Sequence, residues 1–436
     1  MKAQHSINEF PFWWQEARPT LQTEQSLPES ADVAIVGAGY TGLSAALVLA
    51  RAGMKCVVLD KALPGEGCST RNGGQIGPAV GAGYSALCKS VGEDTAAKVI
   101  RSGHDALAWL KDFVETEQLK CDFNECGRFY GAHTKARFRG LQQKLSDVPE
   151  GLSLNASLVP REEQHDYIGS DYYHGGLLYH KHCSLHPAKF HQQLLARVLA
   201  EACSVQGNTE VLEIRETTNK NNLPGTKKFR LSTSRGTLAV NKVLIATNGY
   251  STNLIPWLRR RIIPIGSYMI ATEKLAESDI TAMIPAGRVV TDTRRLVVYY
   301  RPCPNNERII FGARVSLTET DPLKTATKLH QQLVQRFPAC ESVNITHSWM
   351  GYVGYTFDSL PHIGEHDGVH YAMGYCGSGV AMAAFCGAGI AYRMLGHEQQ
   401  HALARAPFQD RFYYRSKPWF LAPSLAWYKV RDAMWR

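Results

Sequence analysis

The chain has 436 residues, 44% hydrophobic and 20% charged, with 48 Lys plus Arg against 39 Asp plus Glu for a net charge of +9. This is a globular composition, long enough for a large core and two interleaved domains, and it excludes a disordered or low-complexity chain. The positive excess is modest and forms no Lys/Arg stripe with interleaved aromatics, which excludes nucleic acid while leaving acidic substrates or an anionic membrane face compatible.

Residues 1–30 read as a polar and aromatic lead-in. Residues 32–46 then give a buried strand, a turn of glycines and an Ala/Leu-rich helix. In this GxGxxG pattern Gly37 makes the tight turn, Gly39 lets a pyrophosphate approach the backbone, and Gly42 lets helix and strand pack closely. Amides of Ala38, Tyr40 and Thr41 stand at or beside the helix N-terminus, where the dipole favours phosphate. A second strand, Val57-Val58-Leu59, ends in Asp60, about 20 residues on, where a carboxylate accepts from a ribose hydroxyl; Lys61 follows. These residues predict a Rossmann-like dinucleotide site in an α/β fold.

A Gly-rich loop covers residues 65–83. Helical patterns follow over 95–119 and 136–145, and a helix with Pro187 near its start covers 190–202. Short strands are predicted over 209–215, 228–232 and 238–240, with Asn219-Lys220-Asn221-Asn222 and Pro224-Gly225 turning the hairpin. A separate apolar strand, 242–249, returns the chain to the nucleotide sheet. Arg259-Arg260-Arg261 reads as a solvated loop. Residues 267–272, 289–291, 296–301 and 308–315 predict the sheet of a second domain, followed by a helix over 324–336. A strand at 369–372 leads through Gly374-Tyr375-Cys376-Gly377-Ser378-Gly379-Val380 into an Ala-rich helix. The tail is aromatic and basic, with Trp427, Val430, Arg431 and Met434 at helical spacing. It is a candidate for peripheral membrane contact, though packing on its own domain is favoured.

Eleven scattered cysteines show no CxxC or zinc spacing. They predict a reduced cytoplasmic protein with buried thiols and no metal site. No signal peptide or bilayer-spanning apolar run is evident.

Taken together, the glycine turn, Arg71-Asn72-Gly73-Gly74-Gln75, Thr209-Glu210-Val211, Ala246-Thr247-Asn248-Gly249 and the 374–380 motif resemble the FAD-dependent amine and amino-acid oxidases of the D-amino-acid oxidase, glycine oxidase and sarcosine oxidase superfamily. Within it, the chain is most similar to the γ-glutamylputrescine oxidase branch. The resemblance covers roughly residues 30–395. It implies a Rossmann-like FAD domain (31–85, 185–255 and 350–396) interleaved with an antiparallel-sheet substrate domain (86–184 and 256–349), of the glutathione-reductase type, with a tail over 397–436. It places the 71–75 loop along the flavin and Val211 against the adenine. Thr247, Asn248 and Gly249 fall near the nucleotide, and the closing motif, Gly374 to Val380 with Tyr375, Gly377, Ser378 and Gly379, at the flavin pyrimidine carbonyl. Thr70 and Asp60 stand where relatives usually carry Gly and Glu. The resemblance also implies non-covalent FAD, because the attachment positions near 71–72 and 355–358 hold no His or Cys; Cys376 is read as a small buried thiol.

Residues 349–364 align with the WxGxRPxTxDxxPxIG pattern of glycine-oxidase-like members, whose arginine forks onto the substrate α-carboxylate. Here Val353 and Gly354 replace Arg and Pro. A free α-amino acid is therefore disfavoured, and an amine with a remote carboxylate, such as γ-glutamylputrescine, is favoured. Arg301, Arg314 or Arg295 are candidates for that carboxylate, and Tyr299, Tyr300, Tyr352 and Tyr355 for an aromatic slot. The implied chemistry is hydride transfer from the C–H beside nitrogen to flavin N5, with the imine then hydrolysed. No side chain is obligatory as acid or base, and His362 reads as structural. O2 or another acceptor takes the electrons. The alternative is an amino-acid dehydrogenase, for D-amino or N-methyl amino acids, feeding a membrane quinone.

Overall fold

A computed structural model of the chain describes residues 7–20, 26–146, 152–217, 228–314 and 321–397, with 402–404, 406–415, 418–421 and 423 beyond them. Ser30–Val36 is the central strand of one sheet. It pairs in parallel with Cys56–Leu59 on one side and Gly236–Ile245 on the other. Ser204–Gln206 and Val369–Met373 extend the parallel part outward, and His362–His366 closes one edge antiparallel. Buried on both faces, these strands read as continuous apolar runs, as in Val33-Ala34-Ile35 and Val243-Leu244-Ile245. The helix Tyr40–Arg51 leaves the end of the central strand, where the neighbours on either side diverge in connectivity and open a crevice. The final helix Gly379–Met394 lies against it so closely that a Cβ on Gly387 would sit 2.3 Å from Thr41 O.

Several sequence expectations shift here. The predicted strands at 238–240 and 242–249 are one strand, Gly236–Ile245, ending at Ile245. Its early residues alternate in burial and pair antiparallel with Lys228–Thr233; its last three are wholly buried in the parallel sheet. Asn241 between them breaks nothing, because a half-covered and a fully covered strand share one backbone geometry. Val211–Thr217 completes the small antiparallel insert; its connection over 218–227 lies outside the described residues.

The long helix Glu93–Thr116 buries Ala96, Val99, Ala106, Leu107 and Leu110 in the core of the nucleotide sheet, rather than in the substrate domain. Gly103 presses it onto the 65–83 loop: a Cβ there would be 1.9 Å from Pro78 O.

The second sheet has the order Ile345–Tyr355, Ile263–Thr272, Ile309–Ala313, Val298–Pro302, Val289–Asp292, Arg128–Gly131, Gly176–Tyr179 and Ala156–Val159. All pairs are antiparallel except Val289–Asp292 with Arg128–Gly131. Ile345–Tyr355 pairs with Ile263–Thr272 along its whole length, which moves the domain boundary from 350 to about 355. One face packs Phe129, Tyr268, Val290, Tyr300 and Phe311 against the helix Pro322–Arg336. The other face covers the crevice.

Arg259-Arg260-Arg261 is not a solvated loop. Arg259 donates to Ile262 O and Tyr414 Oη, and Arg261 donates to Phe408 O and lies 3.7 Å over Trp257. The run latches the segment around Tyr414, which is itself buried near Ile263 and Ile265. The proposed tail helix around Trp427 to Met434 lies outside the described residues. Among the described residues no helix is long and apolar enough to cross a membrane.

Candidate functional site

Both sheets meet at a cavity of about 830 Å3. Its floor is backbone. Gly37 has φ +108° and a Cβ there would lie 2.9 Å from Ala246 O. A Cβ on Gly42 would lie 1.9 Å from Gly37 O, so only glycine lets the helix start so near the strand. Asp60 lines the floor and holds the turn: Oδ2 accepts from Ala38 N at 2.8 Å and Oδ1 from Ala62 N at 3.0 Å. Burial raises the Asp60 carboxyl above its ordinary range, against those two amides. Each oxygen retains a lone pair for a ribose hydroxyl.

The 71–75 loop is pinned from several sides. Asn72 Oδ1 accepts from Gly74 N at 2.8 Å, and Asn72 Nδ2 donates to Ser69 O at 2.9 Å. Trp13 Nε1 donates to Asn72 O at 2.8 Å, Trp349 Nε1 to Arg71 O at 3.0 Å, and Trp14 Nε1 to Thr70 Oγ1 at 2.8 Å. The lead-in is therefore part of the site's support. Arg71 donates to Glu66 O at 2.6 Å and lies 4.7 Å over the Trp14 ring. Gly74 (φ +64°) is pressed onto Leu185 O, where a Cβ would be 2.1 Å away. Gln75 donates to Tyr300 O at 3.0 Å, and its Oε1 is buried with no partner.

The closing motif reaches the fingerprint through hydroxyls: Tyr375 Oη and Thr41 Oγ1 are 2.7 Å apart. Asn248 adopts φ +42° and its Oδ1 accepts from Gly374 N at 3.0 Å. The same Oδ1 would lie 2.2 Å from a Cβ on Gly354, which gives a physical reason for glycine where the resembled pattern has proline.

Most of the expected cofactor residues line the cavity, including Lys61, Gly73, Val211, Thr247, Gly377, Ser378, Gly379 and Val380. Ala38, Gly42, Gly74, Gly249 and Gly374 stand behind the lining and fix its shape. Of the substrate candidates, Tyr299, Arg314, Tyr352 and Val353 line the cavity. Tyr299 stands over Gly73, its hydroxyl 2.9 Å from Ser267 Oγ, and burial pushes that phenol up to about 12. Tyr355 sits behind, its ring 4.4 Å under the Arg314 guanidinium.

Three candidates are corrected. Arg301 is buried and donates to Gly74 O, Leu185 O and Pro302 O, so it clamps the 71–75 loop and does not line the cavity. Burial lowers its guanidinium to about 10. Tyr300 points to the opposite face of its strand, into the core, with its hydroxyl 2.9 Å from Tyr173 Oη. Arg295 does not line the cavity either, whereas its neighbour Arg294 does.

Sequence reasoning missed several participants. Ser69 Oγ accepts from Tyr40 N at 3.0 Å, at the turn where a phosphate would compete. His191 Nε2–H donates to Ala38 O at 2.7 Å; burial lowers this ring to about 4, so it is neutral. Arg128, Tyr130 and Thr291 line the roof from two strands whose alternation was readable in Arg128-Phe129-Tyr130, with Phe129 facing the core. His362 is structural as expected: it contacts Asp358 Oδ2 at 3.0 Å and stacks 4.1 Å from Phe408.

A cavity floored by glycine turns, two helix N-termini and an orphaned Gln75 Oε1 fits an elongated anionic dinucleotide. The chain matches the family model described as FAD dependent oxidoreductase (DAO) over residues 32–393. It belongs to that family. Within reach of the DAO family, the chain is 30% identical over 415 residues to gamma-glutamylputrescine oxidoreductase of Escherichia coli (strain K12), covering 93% of each. It is 29% identical over 428 residues to a probable oxidoreductase OrdL of Rhizobium meliloti (strain 1021), covering 96% of this chain and 97% of that one. Among solved structures, glycine oxidase from Geobacillus kaustophilus shares the fold at TM-score 0.71 and 18% identity, over 88% of this chain and 100% of that one. L-proline dehydrogenase from P. horikoshii does so at TM-score 0.68 and 18% identity, over 88% and 96%. The protein is thus an FAD-dependent oxidoreductase of a family that acts on amines or amino acids.

Proposed function

We propose that this enzyme oxidises the C–N bond of an amine whose reacting carbon bears no carboxylate and whose acid group lies further along the molecule, as in γ-glutamylputrescine. The observation that carries this is Val353 on the cavity wall. Its strand pairs with Ile263–Thr272, Val353 opposite Ile265, so an apolar pair occupies the place from which an arginine would fork onto an α-carboxylate. The gamma-glutamylputrescine oxidoreductase relative supports the same reading.

When bound, FAD would accept hydride from the carbon beside nitrogen. The chain's own residues position and desolvate. Tyr299 and Tyr352 wall the reacting end with aromatic surface, which favours the neutral amine needed for transfer. Gly37, Gly39, Asp60 and Val211 would hold the dinucleotide end, and Gly73, Gln75, Gly377 and Ser378 the flavin end. We further propose that the flavin is held without a covalent bond. Cys68 and Cys376 line the cavity, but burial pushes both thiols up to about 11, leaving them protonated and weakly nucleophilic.

The test is anaerobic mixing of the yellow protein with γ-glutamylputrescine, D-amino acids and N-methyl amino acids, followed by product identification. Bleaching by the amine, with aldehyde as product, is expected; bleaching only by amino acids overturns the reading. Peroxide formation measured beside reduction of an artificial acceptor separates oxidase from dehydrogenase. Val353→Arg is expected to improve binding of simple amino acids by about tenfold or more, from one added charge-assisted contact.

A further inference from the structure

We propose that Arg128 anchors a carboxylate of the substrate about 10 Å from the reacting carbon, and so selects amines that carry a remote acid group. The proposal rests on the reading above, in which the reacting carbon itself bears no carboxylate.

Two fully buried arginines of this domain, and a third that is half-buried at the cavity, show how this fold treats a guanidinium. Arg336 is fully buried with Asp292, Nη2 to Oδ2 at 2.7 Å, and also donates to Gln332 O and Tyr173 Oη. Arg301 donates to three backbone carbonyls. Both are satisfied, as a buried cation must be. Arg128 is not. Its single hydrogen bond among the described residues is a long one, Nη1 to Thr291 Oγ1 at 3.4 Å. Its Nε is buried with no partner, and it forms no ion pair among the described residues. Most of its five N–H donors are thus left without an acceptor, beside a cavity. Burial without an anion lowers its guanidinium below the ordinary value, and supplying an anion reverses that cost.

The surroundings agree in sign. Arg294 and Arg314 line the same roof. Asp292, the carboxylate on this wall, is already engaged by Arg336 Nη2 and by Arg294 N at 3.1 Å. The roof therefore presents three guanidinium side chains to whatever enters, with the Tyr130 and Thr291 side chains beside Arg128.

The spacing agrees as well. Tyr299 stands over Gly73, in the loop that the family lays along the flavin. Thr291 pairs with both Tyr299 and Tyr130, so Arg128 stands two strands across from Tyr299 and two residues further along, a backbone separation of about 12 Å at ordinary strand spacing. In an extended γ-glutamyl amide of a diaminobutane, nine bonds separate the carboxylate carbon from the reacting carbon, a reach of about 10 Å. Val353, by contrast, lies on the edge strand five places from Arg128. The roof thus has an apolar edge where an α-carboxylate would bind and a cation where a distant one would.

The probes are N-glutarylputrescine and N-valerylputrescine, equal in length and differing in the terminal carboxylate. Flavin bleaching by the holoenzyme under anaerobic conditions should favour the glutaryl amine by about 10- to 100-fold in affinity. In Arg128→Gln that ratio is expected to fall to within about threefold, and in Arg128→Lys to recover in part, since charge returns without the planar fork. Calorimetric titration with glutarate, which cannot react, should show at least about tenfold weaker binding in Arg128→Gln. Retained discrimination in Arg128→Gln, or its collapse only in Arg314→Gln, overturns the proposal. Should Arg128→Gln lose flavin or fold, the Arg128→Lys ratio decides alone. Should neither amine bleach the wild-type flavin, the functional reading falls, while glutarate binding that depends on Arg128 still upholds the anchor.

Discussion

The floor and the roof of the cavity are built from different materials. The floor is main chain: glycines at 37, 42 and 74 whose Cβ positions are already filled by carbonyl oxygens, and amides at two helix starts. The roof is side chain: Arg128, Tyr130, Thr291, Tyr299 and Arg314 projecting from a sheet whose other face is a conventional apolar core. A backbone floor tolerates almost no substitution, because a Cβ at Gly37, Gly42 or Gly74 meets a carbonyl oxygen. A side-chain roof can be rewritten residue by residue without moving the sheet. On the proposed function, the floor holds the cofactor and the roof selects the substrate.

The sharpest way to break this division is to damage each half away from its ligand. Arg336→Met leaves Asp292 buried and unpaired, and should destabilise the protein by about 3–5 kcal/mol in chemical denaturation. Gly42→Ala forces a Cβ into Gly37 O. A loss of about 3 kcal/mol is expected, with FAD released on gel filtration, because the helix must retreat from the strand. A roof lesion that spared flavin affinity and a floor lesion that abolished it would confirm the separation of roles.

Acid should attack the floor through His191. Its folded value of about 4 lies below the ordinary 6.5, because burial disfavours the charged ring. The unfolded chain therefore binds the extra proton first. The stability is intact above pH 6.5 and is lost as the pH falls from there to 4, by about 3 kcal/mol at the lower end. His191→Asn should flatten that part of the melting-temperature profile. The smallest effect is expected from Tyr375→Phe, which removes the hydroxyl contact with Thr41: about 1 kcal/mol of stability and a few-fold in FAD affinity.

The floor was legible from the chain because its glycines and Asp60 sit in one local pattern whose spacing is dictated by a strand, a turn and a helix. The parallel strands were legible as unbroken apolar runs. The single strand Gly236–Ile245 was misread as two because burial changes along it while the backbone does not. In the roof, sequence could name arginines but not say which face each occupies. Arg301 and Arg128 lie on the same broad face, yet one meets the carbonyls of a loop brought from 227 positions away and the other meets open space. That difference depends on long-range packing. Trp13 and Trp14 were missed as site residues for the same reason: their indole partners are 59 and 56 positions distant.

The hydroxyl contact between Thr41 and Tyr375 joins residues 334 positions apart, and Asn248 meets Gly374 across another 126. A nascent polypeptide emerging from the ribosome thus completes its glycine turn early, yet lacks the opposite wall of the cavity until the segment through Gly379–Met394 has been made. Such late loop closure is entropically expensive and slow. The cavity can therefore close fully around a bound group only after both ends of the described chain are available to pack together.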